Sequence, residues 1–109
     1  MGVDLVGHGS EESFNWAAWR ALYQIAISFG WKPAGTLPPE GFVGEWNAGY
    51  FSNDLQAVTD ADALAMGKAL NRALKEEFLT VEQASDLHGM SKPIRRLADF
   101  CSRGGFLIF

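Results

Sequence analysis

Few side chains in this sequence have types and spacings that suggest chemistry. His8 and His88 are its two histidines. Either type can ligate a metal or act as a general base. Asp4 and Asp86 are near them in sequence, which means little in an acidic chain. Neither histidine stands in an H-x-x-x-H or C-x-x-C pattern, so no metal set is assigned, and both read as exposed or capping residues. Cys101 is the single cysteine and a nucleophile by type. It shares a helical face with Ile94, Leu97 and Ala98, which makes it a small core residue. The stretch "VDLVGHGSEES" sets Gly7 and Gly9 between a strand and a predicted helix, as in turns that hold a phosphate. The G-x-G-x-x-G fingerprint requires glycine where Glu12 stands, and Glu11 and Glu12 would repel an anion. A plain turn is expected. There is no G-x-S-x-G and no triad, so no catalytic residue and no cofactor is assigned.

Two surfaces remain. The segment 42–51, "FVGEWNAGYF", puts large rings on a glycine-rich loop. Such rings anchor protein interfaces, or stack a base or sugar. The bland alternative is a loop that folds back and buries its rings. The partner-binding residues expected are Trp46, Asn47, Tyr50 and Asn53. The second surface is a basic stripe: Lys92, Arg96 and Arg103 at i, i+4 and i+11, with Arg95 beside them. It would suit an acidic partner or a nucleic-acid backbone. Pairing with the chain's own acids is the simpler expectation, because residues 1–90 hold five basic and twelve acidic side chains.

The elements that must position these residues follow from periodicity. "VDLV" at 3–6 reads as a strand. Residues 10–29 read as a helix with Trp19, Leu22, Ala26 and Phe29 on one face and Gly30 closing it. Ser10, Ser13 and Asn15 are all suitable N-caps. A long Gly/Pro/aromatic-rich connection covers 31–58, and "GYFSNDLQAV" within it fits a hairpin turning at Asn53-Asp54. Thr59 and Asp62 fit a capping box opening a second helix, with Ala63, Gly67, Leu70, Leu74 and Phe78 at helical spacing. Gly67 on that face would admit a ring or a backbone at close range. A short helix is expected from Thr80 to Gly89. Ser91 caps the last helix, with Pro93 in its first turn, and Gly104 stops it. "FLIF" at 106–109 is then a short apolar strand whose natural mate is "VDLV".

The fold expected is α+β, one domain over 1–109. The N- and C-terminal strands pair in a small sheet with three or four helices. The chain has 109 residues, 48% of them hydrophobic and 20% charged, enough for a core without disulfides or a structural metal. A lone cysteine suits a reducing cytoplasm. The first ten residues lack the pattern of a signal peptide, and no apolar run approaches a membrane span. The net charge of −4 argues against nucleic acid as a partner.

Several short pieces resemble a group of small uncharacterised bacterial and phage-associated proteins: "MGVDL", "FNWAAW", "GWKPAGT", "YFSNDLQAV", "DADALA" and "FCSRGGFLIF". The resemblance covers nearly the whole chain and implies a compact domain with an aromatic middle. It brings no functional residues. The function expected is a non-enzymatic protein-binding module, such as a phage or mobile-element accessory protein acting on a host protein. A small-molecule or nucleotide-binding enzyme with a pocket near His8 or Asn53 is the first alternative. A homo-oligomer joined along a sheet edge is the second.

Overall fold

A computed structural model describes residues 2–78 and 90–109. The helix expected over 80–89, and His88 in it, lie outside the described residues. Strands β1 (Gly2–Val6) and β2 (Glu11–Asn15) are followed by α1 (Trp16–Ser28), and β3 (Gln56–Val58) leads into α2 (Asp60–Ala73). A π-helical turn, Leu74–Phe78, extends α2. Helix α3 (Ser91–Cys101) and strand β4 (Phe106–Ile108) complete the order. The four strands form one antiparallel sheet in the order β2-β1-β4-β3.

The pairing of the two terminal strands is as expected, with Leu5 opposite Ile108 and Val6 opposite Leu107. Successive strand residues face opposite sides. Val3, Leu5, Phe14, Val58, Phe106 and Ile108 therefore point to one side and are buried there with Trp19, Leu22, Leu70, Ile94 and Leu97 of the helices. Each fully buried side chain of this size contributes roughly 1.5–3 kcal/mol. Strand β4 sits between β1 and β3 because two of its three residues supply that core. Gly105 brings it into place: a Cβ there would lie 2.4 Å from the Val58 carbonyl oxygen. Gly104, at φ +108°, makes the left-handed stop after α3.

Three expectations are corrected. Ser91 does not cap α3: it is the first helical residue, and Met90 holds the cap position with no side-chain cap bond. Residues 11–15 are a strand, not the first turns of a helix. The Gly7 N–H bonds the Ser10 carbonyl at 2.9 Å, the chain reverses, and Val3 to Val6 pair with Phe14 to Glu11. Helix α1 starts only at Trp16, and Asn15 is its N-cap, accepting from the Ala18 N–H at 2.7 Å. The stretch 49–58 is not a hairpin either. Its strand, β3, pairs with β4 on one side and meets Leu37 through an isolated bridge at Ala57 on the other. The turn region instead contains Leu55 at φ +61°, a conformation costing a side-chain-bearing residue about 1–2 kcal/mol.

The second helix is capped by Thr59, which accepts from the Asp62 N–H at 3.2 Å. Only half of the capping box forms, because the Asp62 carboxylate turns away from Thr59. Gly67 does admit a close backbone, as α3 crosses there. An added Cβ would lie 3.1 Å from the Cys101 Cβ and 3.4 Å from the Ala98 carbonyl oxygen.

Candidate partner-binding surface

The helices cover one face of the sheet, and among the described residues the other face is open. Its residues follow from the register. Glu11 is opposite Val6, Val6 opposite Leu107, Leu107 opposite Ala57, and Ala57 opposite Leu37. Paired residues share a face. Four apolar side chains thus run in a row across the sheet: Val6, Leu107, Ala57 and Leu37. Leu37 is 52% exposed and Leu107 38%. Phe109, 40% exposed, follows Leu107 on the same face by the two-residue period. An open antiparallel face normally alternates toward polar residues. Here it carries an apolar strip, and the carboxylates that border it are Glu11 at one end, Asp4 two residues back along β1, and Asp60 beside the β4 turn, where His8 also stands.

Each edge of this sheet meets a contact from elsewhere in the chain, one at β2 and one at β3. On β2, Arg96 donates from Nη2 to the Ser13 carbonyl at 3.2 Å and pairs with Glu12 at 2.5 Å, while its guanidinium lies 4.9 Å above the Phe14 ring. On β3, the Leu37 bridge takes both backbone groups of Ala57, at 2.9 Å each. Charge and cover of this kind keep strand edges from pairing with other chains.

The long connection is built around a buried carboxylate. Asp62 Oδ1 accepts from Trp31 Nε1 at 2.9 Å and from the Ala34 N–H at 3.1 Å, and Oδ2 accepts from the Tyr50 hydroxyl at 2.5 Å. The same hydroxyl accepts from the Gly35 N–H at 2.9 Å, and the Tyr50 carbonyl accepts from Trp19 Nε1 at 2.7 Å. Burial, then the hydrogen bond to Asp62, hold the phenol well above its ordinary pKa. Gln56, fully buried, donates to the Gly49 and Ser52 carbonyls and accepts from the Asp54 N–H. Buried polar groups are retained when partners are this complete.

The four expected partner-binding residues therefore do not form one surface. Tyr50, 5% exposed, belongs to the core and is corrected from contact residue to anchor. Asn53 is exposed, but its amide donates to the Phe109 carbonyl. Trp46 and Asn47 remain on the surface. The Trp46 ring meets Phe42 edge-on at 4.9 Å, and its Nε1 donates to Thr36 Oγ1 at 3.2 Å. Pro39, Phe42, Glu45, Trp46, Asn47 and Asp54 line a cleft of about 420 Å³. Val43 at the tip is 90% exposed.

The basic stripe is divided. Arg96 is committed to Glu12 and Ser13, and Arg103 pairs with Asp99 at 3.0 Å. Lys92 and Arg95 are exposed and have no ion pair among the described residues. Cys101 is fully buried, and burial pushes its thiol up to about 12. His8 was not paired by sequence reasoning with the acid it meets: its Nε2 lies 3.6 Å from Asp60 Oδ1, and Asp60 also accepts from the Gly105 N–H at 2.7 Å. Ser102 lines the adjoining cleft, but its hydroxyl donates to the Asp99 carbonyl at 2.6 Å, not to His8. The nucleophile–base contact of a triad is not made there. Among the described residues no three His, Cys, Asp or Glu side chains gather as a metal site, and no helix is long and apolar enough to cross a membrane.

Compared with protein-family models, with curated proteins and with solved structures, the chain matches none.

Proposed function

We propose that this chain is a non-enzymatic protein-binding module whose docking surface is the open face of the sheet. The observation that supports it is the cross-strand row Val6–Leu107–Ala57–Leu37, with Phe109 behind it. A contiguous apolar strip rimmed by charge is the usual form of an interaction site. The rim favours one kind of occupant. Glu11, Asp4 and Asp60 all carry the same sign, so a second copy laid face to face would bring acids against acids. A partner with an apolar strip and a basic border fits instead. The resemblance to phage-associated proteins suits an accessory protein that acts on a host protein. The lone buried thiol suits the cytoplasm.

The test is a photo-crosslinking residue at position 107, with the same residue at the exposed position Ala61 of α2 as control. A protein captured from 107 and not from 61, and lost in a Leu37→Ser, Leu107→Arg variant that still melts cooperatively, supports the reading. A crosslink to a second copy would transfer the face to self-association. Equal capture from both positions would overturn it.

A further inference from the structure

The cleft beside Trp46 shares no residue with the sheet row. Its lining includes two rings at 82° to each other and the exposed acids Glu45 and Asp54. The indole is held by a hydrogen bond and the phenyl ring packs against it. Trp46 is fixed through Thr36, whose own hydroxyl donates to the Ala48 carbonyl at 2.6 Å. The Phe42 backbone is held by a turn in which its N–H bonds the Pro39 carbonyl at 3.2 Å. The Asp54 backbone is fixed by Gln56. The Trp46 ring and the backbones of Phe42 and Asp54 are thus tethered by the chain's own bonds, which lowers the ordering cost of binding.

The local charge is one-sided. Residues 33–67 contain five acidic and no basic side chains. Glu40, Glu45 and Asp54 have no ion-pair partner among the described residues. Elsewhere the chain sets its own cations on its rings: Arg20 lies 5.5 Å from the Phe51 ring centre, and Arg96 lies over Phe14. Phe42 and Trp46 carry no such cation among the described residues. A lining of rings and carboxylates attracts a cation through the ring faces and through charge-assisted hydrogen bonds together. A planar guanidinium uses both, stacking on the indole while its edge donates to a carboxylate.

We propose that the Phe42–Trp46 cleft binds the guanidinium of an arginine side chain on an extended segment of a partner protein, with Glu45 and Asp54 as its counter-charges. The site is independent of the sheet face, and its test does not use it. Acetyl-Ser-Arg-Ser-amide is titrated into the 15N-labelled protein, with the citrulline peptide as the uncharged isostere. The expected result is a saturable shift of the Trp46 indole N–H and the Asn47 and Asp54 amides with the arginine peptide, at millimolar concentration. Citrulline should bind at least tenfold more weakly. Glu45→Gln and Asp54→Asn, both at exposed positions, should each weaken arginine binding about threefold to tenfold. Equal shifts from the two peptides, shifts that map away from the cleft, binding unaffected by both substitutions, or no shift at all would each overturn the proposal. None of these outcomes bears on crosslinking from position 107.

Discussion

Trp46 and Tyr50 stand four residues apart on one glycine-rich segment and end in opposite environments. Tyr50 is at the base of the connection, its hydroxyl on Asp62 and its ring 5.4 Å from Trp31 and 5.5 Å from Tyr23. Trp46 is near the tip, half-buried, with Phe42 beside it and Val43 almost fully in solvent. The two regions have similar composition, rings among glycines. They differ in whether a buried polar group is available to receive the ring's own polar atom. Asp62 takes Trp31 and Tyr50 inward. At the tip the receiver for Trp46 among the described residues is Thr36, itself part of the connection. An aromatic loop can thus be core at its base and binding surface at its tip, and the acceptor decides where one becomes the other.

The comparison is broken most severely at Asp62. Asp62→Ala leaves three donors, from Trp31, Ala34 and Tyr50, without their carboxylate in a buried place. At about 1–3 kcal/mol for each stranded group, the loss should reach about 3 kcal/mol or more. Urea unfolding measures it, and a loss below 1 kcal/mol would show that the base is not organised by this residue.

Alkaline pH tests the buried interior, Tyr50 and Cys101 together, with a smaller effect. Tyr50 and Cys101 both ionise at higher pH in the folded chain than in the unfolded one, each chiefly because of burial. Stability from such groups is complete below the unfolded pKa and is lost as pH rises toward the folded value. The unfolded thiol ionises near 9 and the folded one near 12, so stability should fall across that window. One such group contributes a slope of at most about 1.4 kcal/mol per pH unit. Cys101→Ala should flatten the fall between pH 9 and 11, followed by denaturant midpoints at each pH. An unchanged slope would mean the thiol is reached by water.

The smallest effect belongs to the tip. Val43→Ser should change stability by no more than about 0.5 kcal/mol, since the side chain is already in solvent. A cooperative melt displaced by several degrees would place Val43 in packing that the described contacts lack.

Much of this was legible in the sequence, for identifiable reasons. The terminal pairing followed from two short apolar runs, "VDLV" and "FLIF", and Asn15 was among the residues suited to capping α1. The Thr59 cap and the buried face of α3 are local patterns and were found as such. What was missed depends on long-range partners. Ser10 to Ser13 look like a helix start, but β1 offered them a ladder, and tertiary pairing outweighed propensity. Asp62 looked like a cap because its three donors are distant in sequence. The outward row could not be seen at all: Val6, Leu37, Ala57 and Leu107 are unremarkable singly and become a strip only once the register is known.

The central position of β4 also bears on how the sheet assembles in time. β1 and β2 are joined by a short turn and can pair early. Leu5 and Ile108 are nearly a chain length apart, so the contact that completes the sheet is among the most distant in sequence. Folds governed by such contacts are slow. Until β4 is inserted, β1 and β3 each present an unpaired edge and an unfilled core face, the condition in which folding intermediates associate with one another. The vulnerable interval of this chain is therefore the wait for "FLIF", and synthesis conditions that lengthen that wait should raise aggregation without changing the stability of the finished fold.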